Sequence, residues 1–121
     1  MLENSFYTVE NTESAESNYC VSLVLNPSHE IYKVHFPGNP ITPGVCLLQI
    51  SLELLNLRFQ RKLRLAGAKN IKYLKVINPI ENPKIEFVIH YKTDNDLIYA
   101  EISIVSGETV FAKINATYKG L

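Results

Sequence analysis

The sequence lacks a surplus of either charge. Lys and Arg together number 12, as do Asp and Glu, over 121 residues. A general nucleic-acid binder needs a basic excess to displace counterions from phosphates, so that class is set aside. Long apolar runs are missing as well. Val45 to Leu48 and Leu97 to Ala100 are the longest stretches and are far too short to span a bilayer. Met1 to Glu16 carries Glu3, Glu10, Glu13 and Glu16 and no base, unlike a secretory signal. A cytoplasmic protein that does not enter the membrane is therefore expected. Cysteine is scarce: Cys20 and Cys46 stand far apart in apolar surroundings, which predicts buried free thiols in a reducing compartment. His29 and His90 have no metal-like spacing to other ligands, so neither a metal nor a cofactor is expected.

What is present suits one small core. Hydrophobic residues make up 46% of the chain, and no repeat or low-complexity linker divides it, so residues 1–121 read as a single domain. Phe6 to Val9 is rich in aromatic and β-branched residues and predicts a short strand. Tyr19, Val21, Leu23 and Leu25 are apolar at every second position and predict another. Asn26-Pro27-Ser28 breaks that pattern and starts a helical turn. From Val45 to about Phe59 the apolar residues run nearly all the way round a helix, the mark of a buried one. Four strands are then predicted over Ile71–Ile77, Lys84–Tyr91, Leu97–Val105 and Thr109–Tyr118, the last three as a meander. The pattern calls for an α+β architecture, a curved antiparallel sheet wrapped around one long central helix.

Between the helical turn and the long helix lies His35-Phe36-Pro37-Gly38-Asn39-Pro40-Ile41-Thr42-Pro43-Gly44, with three prolines and two glycines in ten residues. Followed by Val45, this segment resembles the signature His-Phe-Pro-Gly-x-Pro-x-x-Pro-Gly-Val of the β-hydroxyacyl-acyl-carrier-protein dehydratases. The resemblance implies a hot-dog fold. It also implies removal of water from a (3R)-hydroxyacyl thioester, which leaves a trans-2-enoyl thioester. Such a reaction needs a base for the C2 proton, an acid for the departing hydroxyl and donors for the thioester oxygen. Neutral imidazole suits the base, because its ordinary pKa lies near working pH, and the resemblance gives that role to His35. It gives the carbonyl to the Gly44 N–H and to Val45, at the positive end of the helix dipole, with Phe36 beside the substrate. A rigid Pro/Gly loop would hold this geometry.

Two positions on the helix depart from the pattern. Where the family carries Glu or Asp on the helix, fourteen residues after the histidine, this chain has Gln49, and one turn on, where the family commonly has Gln, it has Glu53. Gln49, Glu53 and Asn56 share a stripe of an otherwise apolar helix, which is costly unless they line a wet or functional cavity. Glu53 is expected as the acid, acting through a relay, with Gln49 orienting water or the substrate hydroxyl. Two alternatives stay open: an acyl-binding or heterodimer subunit without catalysis, or a Glu53 paired with Arg58 or another base. A thioesterase of the same fold is a further, weaker option. Leu54 to Ile80 holds seven bases and no acid. The resemblance implies an acidic acyl carrier protein with a phosphopantetheine-linked chain. Arg58, Arg61, Lys62 and Arg64 are the candidate docking cations, against the alternative of a solvated face. The family builds its sites across a dimer interface, so a homodimer or an oligomer of dimers is implied.

Overall fold

The computed structural model describes residues 2–34 and 38–121. Six strands form one antiparallel sheet: β1 (Tyr7–Ser14), β2 (Asn18–Leu25), β3 (Leu63–Tyr73), β4 (Lys84–Asp94), β5 (Leu97–Ser106) and β6 (Thr109–Gly120). Their order across the sheet is β1-β2-β4-β5-β6-β3. A one-turn helix α1 (Ile31–Val34) precedes the motif loop, and the long helix α2 (Gly44–Phe59) follows it. The expected meander β4-β5-β6 is present. Its turns fall at Asn95 and Gly107, both with φ near +55 to +60° (55° and 59°), where short polar or side-chain-free residues fit.

Period-two alternation sets the inner face of the sheet. Tyr19, Val21 and Leu23 of β2 stand opposite Ile89, Phe87 and Ile85 of β4. Ile89 and Phe87 in turn face Ile102 and Ile104 of β5, which meet Ile114 and Ala112 of β6. All of these are buried, in one core with Ile50, Leu54 and Leu55 of α2. Each fully buried Leu, Ile or Phe contributes about 1.5–3 kcal/mol to holding sheet and helix together. This is the hot-dog arrangement, an α+β fold with the sheet curved around the central helix.

The sheet edges depart from the sequence expectation. β3 begins at Leu63, eight residues before the predicted Ile71, and nearly all of it after Leu63 is exposed. An edge strand with neither face buried carries no alternation to read. Its order comes from the backbone ladder to β6, interrupted by register shifts at Leu65/Gly67 and Ala68/Asn70. β1 likewise extends well past Val9, drawn out by pairing with β2 as far as Ser14↔Tyr19. The helix also differs from a fully buried one. Cys46, Leu47, Ile50, Ser51, Glu53, Leu54 and Leu55 are buried, but Val45 is 70% and Leu57 46% exposed. No helix among the described residues is long and apolar enough to cross a membrane. Cys20 and Cys46 are free thiols, Cys46 fully buried and Cys20 partly so, and burial raises the pKa of each.

Among the described residues two buried side-chain atoms have no hydrogen-bond partner, Arg58 Nε and the Tyr118 hydroxyl. The Tyr118 hydroxyl on β6 has no hydrogen bond, and burial pushes its pKa up to about 12 from 10.0. The folded chain keeps this proton more tightly than the unfolded chain does. Ionisation therefore costs no stability below pH 10 and erodes it as pH rises from 10 toward 12. Tyr118→Phe should raise stability by about 1 kcal/mol at neutral pH, because it removes an unsatisfied hydroxyl. It should also soften the alkaline loss. Urea unfolding at pH 7 and pH 11 checks both expectations.

Candidate functional site

The motif loop is tied down on both sides. Tyr32 of α1 and Thr42 share a buried hydroxyl–hydroxyl hydrogen bond of 2.9 Å, and the Thr42 N–H donates to the Ile77 carbonyl at 2.9 Å. Burial pushes the Tyr32 hydroxyl up to about 12, against the lowering effect of its bond to Thr42. Ile77 itself is held by the turn behind it, where Asn78 Oδ1 accepts from the Ile80 N–H at 2.9 Å. His35 and Phe36, the expected base and its neighbour, lie outside the described residues.

Pro43 leads into α2 in extended conformation and its side chain offers no cap. The Cys46 and Leu47 N–H groups turn back to the Pro43 carbonyl. The Gly44 and Val45 N–H groups take no part in this, and as the first donors of the helix they have no partner within it. They sit at its positive end. Gly44 makes a close approach here: a Cβ at this position would stand 2.5 Å from Cζ of Tyr73, so the half-exposed ring would have to shift to admit one. Tyr73, Leu47 and Ile77 help line a cavity of about 330 Å³ that reaches Gly44.

The polar stripe of α2 does something different from what its spacing predicts. Glu53 is only 3% exposed, and among the described residues no Lys or Arg forms an ion pair with it. Its carboxylate accepts from the Leu2 N–H (3.1 and 2.9 Å to its two oxygens), the Glu3 N–H (3.0 Å), the Tyr7 hydroxyl (3.0 Å) and Gln49 Nε2 (2.9 Å). The alternative of a pairing with Arg58 is thereby replaced by a cage of donors. Asn56 Oδ1 accepts from the Leu63 N–H at 2.9 Å, and its carbonyl takes the N–H groups of Gln60 and Arg61, so this residue closes the helix and launches β3. Two of the three stripe residues thus bind the chain's own backbone. Burial, and then the Glu53 charge and hydrogen bond, hold the Tyr7 hydroxyl far above the ordinary tyrosine range. Sequence reasoning missed Tyr7 and the Leu2 and Glu3 amides. Their distance of some fifty residues from Glu53 left no local signal.

The expected docking cations divide. The Arg58 guanidinium lies 5.7 Å from the ring centres of Phe59 and Tyr91, and its Nε is buried without a partner. Arg61 pairs with Asp96. Lys62 and Arg64 are exposed.

With this geometry in hand, the comparisons place the chain. The family model for the ApeI-like dehydratases (ApeI dehydratase) matches residues 10–113. The chain belongs to that family. A curated relative, the 3-hydroxyacyl-[acyl-carrier-protein] dehydratase FabZ of Ligilactobacillus salivarius (strain UCC118), is 30% identical over 88 residues, 67% of this chain. The match spans 63% of that relative's length. Among solved structures, the dehydratase heterocomplex ApeI:P from Xenorhabdus doucetiae superposes with a TM-score of 0.68 at 14% identity, covering 93% of this chain and 96% of the other. A hexameric acyl-CoA thioesterase superposes with a TM-score of 0.57 at 11% identity, over 86% and 69% of the two chains. These two likenesses show the hot-dog fold.

The Glu53 cage has a direct stability consequence. Tyr7→Phe removes one hydrogen bond to a buried carboxylate and should cost about 1.5–3 kcal/mol, read from the urea midpoint at pH 7. A change below about 0.5 kcal/mol would show that the cage does not depend on that hydroxyl.

Proposed function

We propose that the chain acts on a 3-hydroxyacyl thioester carried by the phosphopantetheine arm of an acyl carrier protein, as a dehydratase-type hydro-lyase. The observation that carries this reading is the helix start. Gly44 and Val45 present N–H groups without helical partners directly after the motif loop, beside a lined cavity. A thioester oxygen seated there gains two donors and the helix dipole as negative charge develops on it. His35 takes the C2 proton, the C2=C3 double bond forms, and the C3 hydroxyl leaves as water with a proton from an acid. Phe36 flanks the acyl chain, and exposed Lys62 and Arg64 steer the acidic carrier.

The source of that proton has two readings. In the first, Glu53 is the acid, acting through a water relay, and Gln49 orients that water or the substrate hydroxyl. The second is favoured by the four donors around Glu53, each of which prefers a carboxylate that accepts. In it Glu53 supports the site, and this chain binds acyl thioesters or serves as one half of a heterodimer whose other subunit supplies the acid.

Hydration of a crotonyl thioester, followed by loss of enoyl absorbance, separates the readings. On the first, the native chain turns over, while His35→Ala and Glu53→Gln both abolish the rate. On the second, the native chain is idle, and the paired exchange Gln49→Glu with Glu53→Gln creates a rate by restoring the family's order. Release of free thiol instead of hydration would identify a thioesterase and overturn the proposal.

Assembly follows from the exposed surfaces. β3 has an unpaired edge, and Val45, Tyr73, Leu74 and Val76 are half or more exposed close to the helix start. A second copy covering this region would form a homodimer and complete the wall of the cavity. Light scattering should report twice the chain mass at micromolar concentration. A stable monomer would overturn this.

A further inference from the structure

The start of α2 has a neighbour that lies outside the motif. Tyr73 ends β3 opposite buried Ala112 of β6, so its side chain stands on the inner face of the sheet, toward α2. The Leu74 and Lys75 N–H groups both donate to the Phe111 carbonyl, at 2.8 and 3.1 Å, and these bonds fix the strand end that carries the ring. What the ring brings to Gly44 is its polar tip. Cζ, Oη and Cε1 are the atoms nearest the place of a Cβ there, at 2.5, 2.7 and 2.9 Å. Among the described residues no hydrogen bond engages this hydroxyl. Burial holds its pKa above the ordinary tyrosine value, so the phenol keeps its proton at neutral pH and can donate it to a hydrogen bond.

We infer that the Tyr73 phenol is a third donor to the thioester carbonyl oxygen seated at the Gly44 and Val45 N–H groups, and so a further substrate-binding residue of this site. The inference rests on the acyl-thioester reading above, and it holds whichever group supplies the acid proton. The two backbone donors point along the helix axis, away from its body. The phenol arrives from the side that glycine, with no side chain, leaves open. Loss of the C2 proton moves negative charge onto the carbonyl oxygen, and a donor already held beside it strengthens as that charge develops. A ring that served only as a wall of the cavity would need no hydroxyl.

The test uses the full chain and a butyryl-pantetheine analogue in which a methylene group replaces sulfur, isotope-labelled at the carbonyl carbon. The analogue keeps the acceptor oxygen and cannot be hydrolysed, hydrated or dehydrated. Tyr73→Phe keeps the ring and removes only the hydroxyl, at a half-exposed position where the urea midpoint should barely move. Difference infrared spectra should place the bound carbonyl stretch at lower frequency in the native chain than in Tyr73→Phe, a signature that a packing role would not give. NMR titration should show the analogue binding about fivefold to tenfold more weakly to Tyr73→Phe, the value of one neutral hydrogen bond. An analogue that binds both chains with the same carbonyl frequency would make the ring a wall and overturn the inference, while the thioester reading stands. Tighter binding to Tyr73→Phe would do the same, since the hydroxyl would then be an obstruction. If the analogue does not bind the native chain, both fall together.

Discussion

A carboxylate buried in an apolar helix must be surrounded by donors or be expelled, and much of this molecule is arranged around that requirement. Glu53 sits in the C-terminal half of α2, between partly buried Leu52 and fully buried Leu54, at 3% exposure. Leaving it unpartnered would cost several kcal/mol. The Leu2 and Glu3 amides and the Tyr7 hydroxyl supply what it needs. The same bonds fasten the start of β1, an otherwise exposed edge strand, to the centre of the fold. A charge that would destabilise an isolated apolar helix here links two parts of the chain some fifty residues apart.

That constraint reaches the site through Gln49. The exchange of Gln and Glu relative to the family pattern is more than a swap of letters, because the two positions differ in depth. Gln49 is half-buried and Glu53 is closed off. A carboxylate at the inner position meets backbone donors. An amide at the outer position takes its orientation from that carboxylate. The helix start supplies the complementary half: Pro43 without a side-chain cap, Gly44 in close approach to the Tyr73 ring, and two N–H groups at the positive end of the dipole.

The periphery is less complete than the centre. β3 is ordered by its ladder to β6 and by little else, and the apolar side chains of Val45, Tyr73, Leu74 and Val76 near the helix start remain exposed. A chain this small buries only a modest share of its surface, and these residues mark where a second chain would add to it. Of the cations that cluster in sequence from Arg58 to Arg64, two are occupied within the fold and two face solvent. A run of like charge therefore overstates the charge that a partner meets.

The sequence alone determined the elements whose signals are local. β2, β4, β5 and β6 alternate because one face of each packs on α2, the turns carry Asn and Gly at positive φ, and the motif from His35 to Gly44 identifies the family through residue types that chemistry demands together. The same sequence could not show the extent of β3 or β1, since an edge strand exposed on both faces leaves no periodicity to detect. Nor could it assign the polar stripe. Spacing put Gln49, Glu53 and Asn56 on one face and suggested a wet cavity. Only the tertiary structure brought Leu2, Glu3 and Tyr7 against Glu53 and Leu63 against Asn56. A hydrogen bond to a backbone amide leaves no trace in residue type, so the partners of a buried side chain are decided by chain geometry and not by composition.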